Sequence, residues 1–247
     1  MRERTYDKGT WGMVGVILSL AWPTMLEQLM QTAVQYIDTA MVGSLGTQAT
    51  AAVGATSTVN WLISSSISAL SVGFLAFIAR ACGADDRPAA KRAASQAVLV
   101  TLITGIFFTV LTVSLSEVVP VWMQVDESIQ DLAARYFLIL YLPMLPRTAS
   151  IIFGTVLRAA GDTKTPMKVG LIVNFINVAL NFLLIYPTRE ISLFGWNIMM
   201  YGADWGVIGA AAASSIAYTI GGIHITAVLW RHPVVSPREL IMDAKAT

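Results

Sequence analysis

The sequence predicts an all-α integral membrane protein with six transmembrane helices, and three observations carry that reading. The 247 residues are 55% hydrophobic and only 13% charged, with a mean hydropathy of +0.65. A soluble domain of this length needs far more charge to cover its surface. Six apolar segments can be drawn, each long enough to cross a bilayer at roughly 20 residues per crossing. They are Val14–Val42, Ala51–Arg80, Ala93–Leu115, Ile129–Leu157, Pro166–Tyr186 and Gly206–Trp230. Finally, Lys and Arg alternate between loops. One side holds Arg2, Arg4 and Lys8, then Arg80, Arg87, Lys91 and Arg92, then Arg158, Lys164 and Lys168, and last Arg231, Arg238 and Lys245. The opposite loops carry Glu117, Asp126, Glu127 and one base, Arg189. The positive-inside rule then places both termini in the cytosol, in agreement with an even number of crossings.

Composition also excludes classes. A formal net charge of +1 leaves no basic surface for a nucleic-acid partner. The single cysteine, Cys82, cannot form an internal disulfide, and no Cys/His cluster has metal spacing. His224 and His232 stand apart from any Ser or Cys partner, so neither enzymatic chemistry nor a cofactor is expected. The start, MRERTYDKGTW, is no secretory signal, because a long apolar run without a small-residue cleavage site follows it. Residues 1–13 read as a cytosolic arm, 14–230 as the six-helix body and 231–247 as a cytosolic linker or tail.

The first segment carries the clearest polar signal. Within WPTMLEQLMQTAVQYIDTAMVG, Glu27 and Asp38 are eleven residues apart, close to three helical turns. At ~100° per residue they share a face with Gln28, Gln31 and Gln35. Ionisable groups in a membrane face a bundle interior or an aqueous cavity, so this helix reads as one wall of a polar cavity. In the second segment Ser64, Ser65, Ser66 and Ser68 form a small-residue run that reads as close helix packing, and Gly209 to Ser215 repeats it in the sixth.

Pro143 and Pro146 in the fourth segment, and Pro23 in the first, favour kinks. Arg147 is the only basic residue well inside a span. Counting ~1.5 Å per residue puts it about 27 Å from the outer end of its helix and Glu27 about 21 Å from its own, near enough for an ion pair. The fifth segment starts at Thr165–Pro166, a good N-cap and first-turn pair, and ends at Pro187. Its Asn174, Asn177 and Asn181 are spaced i, i+3, i+7 on one face, and amides in hydrocarbon need partners. The stretch Pro187–Trp205 is apolar, short and bounded by turn residues, fitting an interfacial hairpin or a helix. Asp162 reads as a turn residue, and Asp85 and Asp86 as solvated charges. Met25, Met30, Met41, Met144, Trp22, Tyr36 and Tyr141 read as core or lipid-facing residues, or as an adaptable apolar lining.

Five stretches together resemble the multidrug and toxic compound extrusion (MATE) family: YIDTAMVG at 36–43, ARACGAD at 79–85, LRAAGDTKTPM at 157–167, NFINVALNFLLIY at 174–186 and GVIGAAAA at 206–213. The resemblance covers nearly the whole chain but only half of the family's architecture, which has twelve helices in two lobes. It implies one amino-terminal six-helix lobe, with the missing carboxy-terminal lobe or a second copy as partner, in a bacterial-type plasma (inner) membrane. It implies export of amphipathic, cationic drugs or metabolites by alternating access, driven by H⁺ or Na⁺. The family's ion site carries over to Asp38, Asn177 and Asn181, which would also hold Na⁺ if Na⁺ is the coupling ion. A carboxylate with amide oxygens at one level suits Na⁺, and a desolvated carboxylate suits H⁺. Glu27, Gln31, Gln35, Tyr36, Asn174 and Arg147 are candidates for a substrate cavity. The rivals are a related lipid-linked-precursor flippase, whose pyrophosphate would need more cations than Arg147, and a non-transporting assembly or regulatory subunit.

Overall fold

The computed structural model describes residues 10–193 and 196–237, with side chains for 12–190 and 199–237. Helix α1 is Thr10–Gly43, α2 Thr47–Gly83 and α3 Arg87–Leu115. A short α4 (Val118–Trp122) precedes α5 (Glu127–Tyr141) and α6 (Met144–Ala159), followed by α7 (Lys164–Leu184) and α8 (Gly206–Arg231). Five helices are long and apolar enough to cross a membrane, and α5 with α6 makes a sixth span bent by 49°. This is the expected all-α membrane body of six spans. α1 begins inside the arm expected at 1–13, and Arg2, Arg4, Lys8, Arg238 and Lys245 lie outside the described residues.

The bend falls at Leu142–Pro143, where proline interrupts the helical ladder. Pro23 is different: α1 runs through it as one helix. Three acids that the sequence places in loops or a turn have a further role. Asp86 Oδ1 accepts from Ala89 N at 3.0 Å and caps α3, and Asp126 Oδ1 accepts from Ser128 N at 2.9 Å and caps α5. Asp162 Oδ1 accepts from Thr165 N at 3.0 Å, so α7 starts at Lys164 under that cap rather than under Thr165.

Between α7 and α8 the chain forms an antiparallel hairpin, β1 (Pro187–Leu193) on β2 (Trp196–Ala203), which decides between the two forms left open for that stretch. Its base is tied to the α1–α2 turn by Ser44 Oγ and the Tyr186 hydroxyl, 2.9 Å apart. Connectivity puts the α2–α3 and α6–α7 turns at the other, basic end. α8 is the central column, packed on α5, α6 and α7, while α3 packs on α2 and α6, and α1 lies mainly on α7 and α2. The core runs through Phe137, Tyr141, Met144, Ile152, Leu157, Ile225 and Leu229. The small-residue run of α8 does pack closely: a Cβ on Gly209 would collide with the Leu184 backbone.

At the basic end, His232 Nδ1 accepts from Val234 N and Val235 N at 3.3 and 3.4 Å, turning the chain back onto a fully buried Val235. Burial holds the imidazole below its usual 6.5, against the opposing pull of Asp162. A lowered folded value means stability present at neutral pH and lost as pH falls from 6.5 through the folded value. Amide protection factors at Val234 and Val235 should therefore drop on acidification in the wild type and show no such step in His232→Gln.

Candidate functional site

α1 and α7 run the same way and meet along one polar face. From α7, Asn181 Nδ2 donates to Asp38 Oδ1 at 2.5 Å. One turn earlier, the Asn177 amide lies 3.1 and 3.2 Å from the two Asp38 oxygens and 3.0 Å from Ser214 Oγ on α8. A carboxylate only accepts, so the Asn177 nitrogen turns toward it and the amide oxygen takes the Ser214 hydroxyl. Asn177 is 6% exposed and Asn181 fully buried, which is why the face must be polar on both sides. Asn181 Oδ1 is buried without a hydrogen-bond partner, an acceptor beside a carboxylate. The arrangement can hold a negative charge on Asp38 by amide donors and exchange it for a proton, or offer the carboxylate and the unpartnered Asn181 Oδ1 to a hard monovalent cation. Among the described residues no cluster of His, Cys, Asp and Glu has the makings of a metal site.

Glu27 does not pair with Arg147. Its partner is Arg158, whose Nη2 donates to both carboxylate oxygens at 2.9 Å, with the Glu27 side chain 12% exposed. Arg147 and Arg158 are eleven residues apart on α6, so both project from about the same side at different depths. Depth counted along a straight fourth span placed Arg147 level with Glu27. The bend at Pro143 and the reach of the Arg158 side chain from the end of α6 make Arg158 the partner.

Arg147 instead lies inside the lobe, 8% exposed. It donates to Asn60 Oδ1 at 2.6 Å and Ser64 Oγ at 3.2 Å, and lies 4.8 and 5.6 Å from the ring centres of Tyr218 and Tyr141. Tyr141 also donates to Asn60 Oδ1 at 2.9 Å. Neutral oxygens and aromatic faces thus solvate the guanidinium, and α2, α5, α6 and α8 are tied together around the bend.

The remaining cavity candidates divide. Gln31, Gln35 and Tyr36 are exposed on α1, Tyr36 at 74%, and Asn174 is half-buried on α7. Arg147, buried inside the lobe, does not join the exposed Gln31, Gln35 and Tyr36 of α1. The apolar candidates split as well: Met25 and Trp22 are exposed, whereas Met41, Tyr141 and Met144 are core. Sequence reasoning missed Arg158, counted as a loop base because it ends an apolar run, and Tyr218. It read Ser64 and Ser214 as packing, because a functional hydroxyl inside a small-residue run carries no separate signal.

The MatE family model matches residues 23–183. The chain is 28% identical over 229 residues to the probable multidrug resistance protein NorM of Thermotoga maritima, covering 93% of this chain and 47% of that protein. It is 28% identical over 236 residues to the probable multidrug resistance protein YpnP of Bacillus subtilis, covering 94% and 49%. The chain therefore spans about half the length of the curated relatives it matches. Its fold is similar to the crystal structure of a MATE protein in complex with MaD3S, with a TM-score of 0.79 and 25% identity over 90% of this chain and 47% of that one. It is also similar to an outward-facing multidrug resistance MATE family transporter of the MOP superfamily, with a TM-score of 0.78 and 25% identity over 90% and 46%. The matched model, the relatives and the shared fold agree: this multi-pass membrane chain belongs to the MatE family, whose members are transporters and not enzymes.

Proposed function

We propose that this chain is one lobe of an ion-coupled antiporter that exports amphipathic, cationic drug-like compounds or metabolites by alternating access. The observation that carries the reading is Asp38, held within the membrane by two buried amides of α7 beside an open polar face. Asp38, Asn177 and Asn181 are the ion-coupling residues, for H⁺ or for Na⁺. Gln31, Gln35, Tyr36 and Asn174 line the substrate side. The exposed bases Arg80, Arg92, Lys164 and Lys168 at one end support a cytosolic placement of that end in a bacterial-type plasma membrane, with residues 1–13 and 231–247 on the same side.

One lobe encloses nothing by itself. Gln31 and Gln35 cannot face lipid, so a second six-helix unit closes the cavity, either further chain or a second copy. If it is a second copy, both share one orientation, the axis lies along the membrane normal and the two α1 stripes face one another. Cysteines placed at Gln31 or Gln35 should then crosslink between copies in bilayers, and ion-driven uptake should track the crosslinkable fraction. Robust transport by a demonstrably monomeric 247-residue chain would refute the half-transporter reading.

A further inference from the structure

We propose that Glu27 and Arg158 are a positioning pair for the ion site, fixing α1 on α6 and α7 and thereby setting how Asp38 meets Asn177 and Asn181. The inference rests on the ion-site reading above and adds residues to it that do not touch the ion.

α1 is lightly held. Ile17, Leu18, Trp22, Met25, Leu29 and Tyr36 are all more than half exposed, so most of the helix faces away from the lobe. Its side chains make polar contacts to other helices at two levels: Glu27 to Arg158, and Asp38 to Asn181 and Asn177. Between them Gln28, Gln31 and Gln35 are exposed. The two levels are about 16.5 Å apart and within ~20° of one another around the helix.

α7 repeats the spacing. A Cβ on Gly170 would sit 3.3 Å from Glu27 Cγ and Oε1, so the bare backbone of Gly170 forms the seat for that carboxylate. Eleven residues later on α7 stands Asn181, the donor to Asp38, just as Asp38 stands eleven residues after Glu27 on α1. Two parallel helices with one repeat meet in register at both levels. The ion pair locks the sliding and rotation of α1 at the first level, and the second level inherits that register. A lost lock lets the Asp38 carboxylate leave the geometry its two amides require.

The test uses the 247-residue chain in lipid nanodiscs and needs no transport. ²²Na⁺ saturation and a pH titration of the carboxyl infrared band that Asp38→Asn removes report the site directly. Glu27→Gln should weaken Na⁺ binding, or displace the pH midpoint of that band, by about threefold or more at an unchanged number of sites. The charge-exchanged double variant, Glu27→Arg with Arg158→Glu, should restore the wild-type midpoint. Gly170→Ala keeps both charges but crowds the carboxylate, and should shift the midpoint less; it also serves if Glu27→Gln fails to fold. A merely structural pair would lower the number of sites and leave the midpoint alone, and that result overturns the proposal, as does a wild-type midpoint in both variants. If instead Asp38→Asn leaves the wild-type titration intact, the ion-site reading itself fails, and the pair falls with it.

Discussion

Asp38→Asn should abolish ion-driven export by the assembled transporter while leaving the protein inserted and folded. The substitution keeps the shape of the side chain and an oxygen to accept from Asn181, so the contact between α1 and α7 survives. It removes the carboxylate whose charge changes with ion occupancy. Export under an imposed H⁺ or Na⁺ gradient in membrane vesicles should fall by about a hundredfold or more, the scale lost when one proton-handling group is removed. Export down a pre-formed substrate gradient should suffer less. Wild-type rates in the variant would sink the coupling role.

A large loss of stability is expected at Gly222→Ala. A Cβ there would lie 2.6 Å from Cα and Cβ of Pro146 and closer still to its carbonyl oxygen. Backbone cannot yield as a flexible side chain does, so α8 must move off α6 at the level of Arg147. That displacement also pulls Tyr218 from the guanidinium it faces at 4.8 Å. Overpacking costs about 1–3 kcal/mol, and a backbone clash in the central column belongs at about 3 or above. Thermal unfolding in detergent should show a clear loss relative to Gly73→Ala, where nothing lies within 4 Å of the added methyl and the change should stay within about 0.5 kcal/mol. Equal stability of the two variants would mean that α8 is not packed as described.

What the sequence disclosed follows from how a bilayer acts on a chain. Lipid demands about 20 apolar residues per crossing, so the spans were legible from length alone. It also forbids unpaired polar groups, so the shared faces of Glu27 and Asp38 on α1, and of the three asparagines on α7, pointed inward before any coordinates. Partners were harder. Depth along a straight helix pairs Glu27 with Arg147, whereas a 49° bend with a long guanidinium arm gives it Arg158. Asn60 carried no periodic signal, yet it and Ser64 solvate the buried arginine. Ser214 was hidden for another reason: in a run of alanine and serine, a hydroxyl that orients an amide looks like one that only lets helices approach. In the sequence Asp86 reads as a solvated charge and Asp162 as a turn residue, because capping geometry depends on φ and ψ, which neighbours decide.

The most direct test of the central claim is infrared difference spectroscopy of the wild-type chain in bilayers, stepped in pH at zero Na⁺ and in Na⁺ at fixed pH. A carboxyl band should respond to at least one of the two ions, vanish in Asp38→Asn and change shape in Asn181→Ala, which removes its amide donor. A spectrum in which no ion-sensitive carboxyl band depends on Asp38 would contradict that claim.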